Sequence, residues 1–140
     1  MSAKTFDIGR AENQDDLNAI GAFRYRCYLS EGMIAPHDGA CFLDEYDDLA
    51  TSQVFRVRSQ DSIVGTIRLH VLTKEHPKSA TMSAFSDILM PKIDAGMTMI
   101  DGARFAVEPG LGALRLSIAR QTLRLYATVG KEHAVNYGVA

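Results

Sequence analysis

The sequence predicts a mixed α/β (α+β) domain, in which a mainly antiparallel sheet is flanked by helices. Two segments with alternating apolar residues, Ser52–Ser59 and Ser62–Leu72, are separated by two residues, which is typical of an antiparallel hairpin. Segments with apolar residues at helical spacing precede and follow this hairpin, at residues 15–30 and 114–129. The length of 140 residues and the 46% hydrophobic content indicate a single globular domain.

The composition excludes several classes of function. A net charge of −2 provides no basic field for nucleic acid or for an anionic membrane. No apolar stretch is long enough to span a bilayer or resembles a signal peptide, and two cysteines are too few for a disulfide framework. We therefore expect a cytoplasmic protein that binds no nucleic acid.

The chain opens with a strand and a helix. Alternating apolar residues predict a strand at residues 4–9, and Asn13 or Asp15 can cap the helix at residues 15–30. The apolar rhythm is lost in residues 31–49, where glycine, proline and acidic residues predict a loop.

The later elements continue the alternation of strands and helices. Apolar spacing, prolines and glycines predict their limits. We expect a hairpin turn at residues 60–61, a short helix at 83–89 that ends before Pro91, a strand at 97–107, a helix that buries Leu114, Ile118, Leu125 and Val129 and ends at Gly130, and a strand at 133–139.

Arg24 lies on the apolar side of the first predicted helix. At 100° per residue, Leu17, Ile20, Cys27 and Tyr28 share one arc with Arg24, whereas Arg26 points away. A buried guanidinium needs a carboxylate or an anionic ligand, since removal of one partner costs about 3–5 kcal/mol. The alternative is an arginine whose stem packs while its head reaches water.

Four short motifs occur in the same order as in the acyl-homoserine-lactone synthases. They are Arg24 with Tyr28, Asp44-Glu45-Tyr46-Asp47, Gly65-Thr66-Ile67-Arg68-Leu69 and Asp101-Gly102-Ala103-Arg104-Phe105. With the order of strands and helices, they resemble this family and the related N-acyl amino acid synthases, a branch of the Gcn5-related N-acetyltransferase superfamily. The resemblance implies transfer of an acyl group from an acyl-carrier-protein or coenzyme A thioester to an amine, with Arg24, Tyr28, Asp44, Asp47, Arg68 and Phe105 at the substrate.

Arg68 also needs an anionic partner. It shares a predicted strand face with Val64, Thr66 and His70 inside an apolar run, and Asp44 or Asp47 can supply the carboxylate. Such a network has two interpretations, which are not exclusive: it holds the acidic loop against the sheet, or it forms part of a substrate site.

Arg104 lies between Ala103 and Phe105 in a strand that we expect to be central, and Asp101 is the nearest carboxylate in sequence. Residues three apart point to opposite faces of a regular strand, so this pairing requires a bulge, for which Gly102 is the candidate. With such a bulge, Asp101 can take a proton from the attacking amine as a general base, beside Arg104. The alternative is an Asp101 that is solvated or salt-bridged and transfers no proton.

Residues 107–112 connect a strand to a helix, where the first helical N–H groups attract anions. In the superfamily this turn receives pantetheine phosphates, which implies donor contacts at Val107, Gly110, Gly112 and Arg115. The loop lacks the full basic-glycine signature of coenzyme A-binding acetyltransferases, so a carrier-protein donor fits slightly better. An ordinary helix start with a surface Arg115 is the alternative.

The remaining candidates indicate no further chemistry. The four histidines lack the spacing of a metal motif, so we expect no metal. We expect Cys27 in the core, Cys41 as only a weak candidate nucleophile, and Met97 and Met99 as packing residues or as lining of an acyl tunnel.

Two departures from the lactone synthases bear on substrate and assembly. The chain has no tryptophan, whereas those synthases carry one after the position of Tyr28, which disfavours S-adenosylmethionine and favours an amino acid as acceptor. The sequence ends within a strand that should flank the acyl cleft, without the last helix and strands of the usual fold. We therefore expect a C-terminally truncated domain that forms a homodimer through this edge strand.

The expected function is that of an N-acyltransferase acting on an amino acid or a related small-molecule amine. Two alternatives remain open: a non-catalytic module that binds acyl groups or proteins, and an acetyl-coenzyme A-dependent small-molecule acetyltransferase.

Overall fold

A computed structural model describes residues 5–140. These residues form five strands, four α-helices and one short 3₁₀ helix. In chain order these are β1 (Phe6–Arg10), α1 (Gln14–Ser30), the 3₁₀ helix (Glu45–Asp48), β2 (Ser52–Ser59), β3 (Ser62–Leu72), α2 (Ala80–Ala84), α3 (Ser86–Asp94), β4 (Met99–Val107), α4 (Leu114–Glu132) and β5 (Tyr137–Val139). The predicted α+β class is confirmed.

The strands form one sheet in the order β1-β2-β3-β4-β5. Neighbouring strands are antiparallel except β4 and β5, which run parallel. Pairing of β4 with β5 is limited to Met99, Ile100 and Asp101. Beyond Asp101, the described residues provide β4 with no strand partner on that side, so the sheet forks there.

The two long helices cover opposite faces of the sheet. α1 packs through Phe23, Cys27 and Tyr28 against Ala106 of β4, whereas Ile118 and Val129 of α4 pack on the other face. Side chains alternate along β3, which directs Arg68 and His70 toward α1. Polar residues therefore lie at the buried interface beneath α1.

In the first half of the chain, the observed helix and hairpin closely match those predicted from the spacing of apolar residues. The side chain of Asn13 accepts a hydrogen bond from the Asp16 N–H and caps α1. The hairpin has the predicted limits, and Gln60 adopts φ +56° in its two-residue turn without glycine. Residue 4 of the predicted first strand lies outside the described residues. Val64 is an exception, because a bulge shifts the β2–β3 register at Val57/Arg58 and Val64 joins the cluster around Ile118.

The predicted helix at residues 83–89 is wrong in extent. Two helices occupy this region, and Pro91 lies inside the second. A proline removes one helical hydrogen bond, but Leu89 and Ile93 on either side of it are both buried in the cluster with Met99. Burial of these side chains offsets the lost bond.

The predicted end of α4 at Gly130 is also wrong, since the helix continues to Glu132. A Cβ at Gly130 would lie 3.3 Å from side-chain atoms of Ile100 and Val135, so this glycine permits close packing on the sheet. The following strand β5 begins at Tyr137, because residues 133–136 form the turn that reverses the chain.

Each helix within residues 5–140 is too short or too polar to cross a bilayer.

Candidate active site

Arg24 and Asp47 form a fully buried ion pair. The Nη1 atom of Arg24 lies 3.0 Å from each carboxylate oxygen of Asp47, and both side chains are excluded from solvent. The expectation of a carboxylate partner is confirmed, and the alternative in which the guanidinium reaches water is wrong.

The pair continues into a chain of alternating charges. Arg68 Nη1 lies 3.1 Å from Asp47 Oδ1 and 2.6 Å from Asp44 Oδ1. Asp44 Oδ2 in turn accepts hydrogen bonds of 3.1 and 2.7 Å from Nε and Nη2 of Arg104. Both candidate partners of Arg68 are therefore used, and three arginines share two aspartates.

Local backbone geometry holds both aspartates in place. Asp44 caps the 3₁₀ helix by accepting from the Tyr46 N–H, and Asp47 Oδ2 accepts from the Asp44 N–H at 2.9 Å. This reciprocal capping box directs both carboxylates toward β3. Burial raises the pKa of Asp44, but hydrogen bonds from Arg104 and Arg68 outweigh it and hold the pKa below its ordinary value of 3.8.

The predicted pairing of Arg104 with Asp101 is wrong, as is the predicted bulge at Gly102. The register with β3 shifts between Ala103 and Ala106, and Arg104 adopts a left-handed φ of +54°. The extra residue therefore lies at Arg104 and Phe105, and this bulge brings Arg104 within reach of Asp44. A non-glycine residue with this φ stores local strain, which is common at functional sites.

Gly102 serves a different purpose. A Cβ at this position would lie 2.8 Å from the ring of Tyr126, which crosses the fork between β4 and β5. The Tyr126 hydroxyl donates toward the carbonyls of Ile100 and Val139, at 3.4 and 3.2 Å. Tyr126 thus holds β5 beside β4 at the point where the two strands separate.

Arg104 opens into a cavity of about 360 Å³. Its lining combines apolar and aromatic side chains with this one cation: Tyr28, Met33, Ile34, Phe42, Arg104 and Phe105. Tyr28, Arg104 and Phe105 were all predicted as site residues, and Tyr28 lies more than seventy residues from the other two in sequence. A wider groove of about 770 Å³ beside α1 contains none of the three arginines of the charge chain.

Phe42 is a site residue that the sequence analysis missed. Its ring lies 4.8 Å from the Arg104 guanidinium and packs edge-on against Tyr28 at 5.2 Å. A lone aromatic residue two positions before Asp44 in an irregular loop is the signal that could have indicated it. Burial raises the pKa of Tyr28, against the effect of Arg24 and Arg104, so the phenol stays protonated and donates to the Phe105 carbonyl at 3.2 Å.

Asp101 is fully buried in β4. Its Oδ1 accepts a hydrogen bond of 2.8 Å from the Thr81 hydroxyl of α2, whereas Oδ2 has no hydrogen-bond partner in the described part of the chain. The sequence carried no signal for Thr81, because twenty residues and a change of element separate it from Asp101.

The turn before α4 places the predicted donor-binding residues at the helix start. Gly110 and Gly112 have left-handed φ values of +80° and +57°, and no side chain caps the helix. The Val107 side chain is buried in the core. Arg115 pairs with Glu31 at 2.5 Å.

Glu108, which precedes this turn in the sequence, forms an ion pair with Arg26. Arg26, which points away from the core as predicted, holds the Glu108 carboxylate at 2.6 and 2.8 Å.

The cysteines and methionines divide by burial. Cys27 lies in the core as predicted, and burial raises its pKa to about 11. Cys41 is half-buried and is free, and Met99 is fully buried in the cluster with Leu72 and Ile93.

Among residues 5–140, no three His, Cys, Asp or Glu side chains are grouped so that they could hold a metal ion.

Known structures share this fold. FeeM, an N-acyl amino acid synthase from uncultured soil microbes, superposes with a TM-score of 0.73 at 13% identity, over 96% of this chain and 69% of that chain. A predicted acetyltransferase from Clostridium acetobutylicum, determined with acetyl-CoA, has a TM-score of 0.62 at 16% identity, over 96% and 79% of the two chains. The acyl-homoserine-lactone synthase LasI has a TM-score of 0.56 at 18% identity, over 89% and 66%.

No curated protein matches the sequence. The profile of the N-acyl amino acid synthase FeeM family, in contrast, matches residues 19–140, which include the charge chain, the cavity and the start of α4. The chain therefore belongs to the FeeM family of N-acyl amino acid synthases and is an N-acyltransferase with the Gcn5-related N-acetyltransferase fold.

Proposed function

We propose that this enzyme transfers an acyl group from a carrier-protein or coenzyme A thioester to the α-amine of an amino acid, whose carboxylate binds Arg104. One observation carries the proposal: Arg104 is the exposed end of the charge chain, with 33% of its side chain accessible, and it lines the aromatic cavity.

The balance of charges within the charge chain favours a carboxylate as the ligand of Arg104. Arg24, Arg68 and Arg104 carry three positive charges, and Asp44 and Asp47 carry two negative charges, which leaves an excess of one positive charge. Arg24 and Arg68 are fully buried, so only Arg104 can present that excess to a ligand. Arg104 uses Nε and Nη2 for Asp44, and its Nη1 is available to a substrate carboxylate.

Asp101 is the general base of the proposal. The ammonium of the bound amino acid gives one proton to Asp101 Oδ2 through a bridging water, since this side chain is fully buried. The amine lone pair then forms the C–N bond at the thioester carbonyl, the C–S bond breaks, and the released thiolate takes the second proton from the new amide nitrogen. Backbone N–H groups of β4 beyond Asp101, where β5 no longer pairs, can hold the oxyanion.

The donor enters at the start of α4 in this proposal. Gly110 and Gly112 expose backbone N–H groups at the positive end of the helix dipole, where a pantetheine phosphate is favoured. With Glu108 held by Arg26, its carboxylate does not oppose an anion there. Arg115 lies in the first turn of α4 and needs only to leave Glu31 to reach a phosphate.

The central test measures release of free thiol from acyl-coenzyme A and from an acylated carrier protein, with a panel of amino acids. Thiol release that requires the amino acid, together with an N-acyl product of matching mass, supports the proposal. Acyl binding without turnover would instead indicate a non-catalytic module, and turnover restricted to acetyl-coenzyme A would indicate an acetyltransferase. A covalent acyl group trapped on Cys41 would contradict direct transfer.

The donor site has its own test with a matched control. Arg115→Ala should raise the KM for the acyl donor and leave the KM for the amino acid unchanged. Arg124→Ala removes an exposed arginine from the same helix and should change neither. Equal effects of the two variants would remove Arg115 from the donor site.

Association through β5 is the remaining part of the proposal. β5 is the last strand of the sheet, and its outer edge has no strand partner among the described residues, which favours pairing with a second copy. Sedimentation over a hundredfold range of concentration tests this, and a monomer throughout would refute it. Two free cysteines support a cytoplasmic location.

A further inference from the structure

His70 of β3 lies directly opposite Asp101 of β4 in the sheet register. Opposed residues of an antiparallel pair project from the same face with Cβ atoms about 5 Å apart. Both side chains are fully buried on the face beneath α1. The mechanism proposed above does not use this histidine.

The hydrogen bond at Nε2 determines the tautomer of His70. Its Nε2 lies 3.1 Å from the Tyr46 carbonyl, which can only accept, so Nε2 carries the hydrogen. The Nδ1 atom of neutral His70 is then an acceptor. Within the described chain, neither Nδ1 nor Asp101 Oδ2 has a hydrogen-bond partner.

His70 Nδ1 and Asp101 Oδ2 are two acceptors on neighbouring strands, and one proton between them gives both a hydrogen-bond partner. Buried polar atoms are costly unless they are hydrogen-bonded, and a carboxyl that has gained a proton becomes a donor. We propose that His70 is the positioning residue of the general base, and that its Nδ1 accepts the hydrogen bond of Asp101 when that carboxyl holds the proton of the substrate amine. This inference rests on the proposed function, because it assumes that Asp101 receives that proton.

The step balances without a further reactant. The substrate ammonium loses one proton, Asp101 Oδ2 gains it, and the new O–H donates to His70 Nδ1, which stays neutral. Once the C–N bond has formed, the nitrogen loses a second proton to the departing thiolate. The first proton then leaves Asp101 for water, and the enzyme returns to its starting state. His70 neither gains nor loses a proton in the cycle.

The charges around His70 favour its neutral form. Burial lowers the pKa of His70 and the neighbouring Arg68 lowers it further, against the Tyr46 carbonyl and the carboxylates of Asp101 and Asp47. Thr81 of α2 already donates to Oδ1 of Asp101, and the hydroxyl of Tyr126 of α4 donates to carbonyls of β4 and β5. His70 Nδ1 and Asp101 Oδ2 are both left without a hydrogen bond within the described residues, so their contact forms only when Oδ2 gains a proton.

Two substitutions separate this role from packing. In His70→Gln the carboxamide reaches the position of Nε2 and can still donate to the Tyr46 carbonyl, but the acceptor at Nδ1 is lost. In His70→Asn the shorter carboxamide retains an acceptor near Nδ1. We expect the acid limb of the kcat–pH profile to move about one unit lower in His70→Gln and to stay in place in His70→Asn.

The inference is overturned if the acid limb stays in place in both variants while kcat is lowered at every pH. His70 would then contribute only to packing. Should His70→Gln fail to fold, ¹⁵N NMR of the wild-type ring decides, because Nδ1 must be unprotonated and its resonance must respond when Asp101 gains a proton. A hydrogen on Nδ1 would also overturn the inference. The assignment of Asp101 as the general base has its own test, and it is wrong if Asp101→Asn retains both the activity and the acid limb of the profile.

Discussion

The guanidinium of Arg104 and the carboxylate of Asp44 are joined by two hydrogen bonds of 2.7 and 3.1 Å across sixty residues of sequence. Arg104 adopts its left-handed backbone at the bulge of β4, and Asp44 begins the capping box of the 3₁₀ helix. The contact joins the interior charge chain to the cavity. It thus connects the part of the network that stabilises the fold with the part that we propose binds the substrate.

Arg104→Gln should raise the KM for the amino acid about 10- to 100-fold, because a hydrogen bond between charged groups contributes about 1.5–3 kcal/mol. Arg104→Lys, which keeps the charge, should lose less. The matched control is the acceptor amine that lacks the carboxylate, for which the variants and the wild type should have similar kcat/KM. An equal loss with this amine would contradict the assignment of Arg104 to the carboxylate.

Asp47→Asn should lower the free energy of unfolding by about 3–5 kcal/mol, since it leaves Arg24 buried without its counter-charge and removes one partner of Arg68. The measurement is urea unfolding followed by circular dichroism. Asp48→Asn changes the adjacent exposed carboxylate and should alter stability by less than about 0.5 kcal/mol. Similar values for both variants would show that the buried network contributes little.

The stabilisation contributed by Asp44 should depend on pH. Its pKa in the folded protein lies below the ordinary value of 3.8, so the contribution is complete above that pH and is lost as the pH falls through the lowered pKa. The difference in unfolding free energy between wild type and Asp44→Asn should therefore be constant from pH 7 to about pH 5 and should narrow below pH 3.8. A difference that instead narrows between pH 7 and pH 5 would point to another group.

Gly102→Ala should destabilise the protein by about 1–3 kcal/mol, because the added methyl group overlaps the ring of Tyr126. Tyr126→Leu should be destabilising alone, and the double variant should lose less than the sum of the two. A double-mutant cycle by thermal unfolding measures this coupling. Strictly additive losses would exclude the contact as the reason for glycine at this position.

Cys27 should resist alkylation in the native protein. Burial raises its pKa to about 11, so very little thiolate is present at pH 7.5. Iodoacetamide should therefore modify only Cys41 before unfolding, and both cysteines in denaturant, as read by peptide mass spectrometry. Early labelling of Cys27 would mean that α1 separates readily from the sheet.

Local patterns account for the elements that were predicted correctly. The hairpin limits follow from alternation over adjacent residues, and the cap at Asn13 follows from one side chain and the helix that it begins. The helix ends predicted at Pro91 and Gly130 were wrong because the usual effects of proline and glycine on a helix are local preferences. Burial of Ile93 and close packing of Gly130 on Ile100 override them.

The sequence by itself determined that Arg24 and Arg68, where buried, need a carboxylate or another anionic partner, since an apolar helix face and an apolar strand cannot hold an unpaired cation. It also determined the family, through motifs that survive in order along the chain. Only the tertiary structure decided that Arg104 pairs with Asp44, that Phe42 joins the cavity and that His70 faces Asp101. These relationships depend on strand register and on a one-residue bulge, and a shift of one residue redirects every side chain that follows.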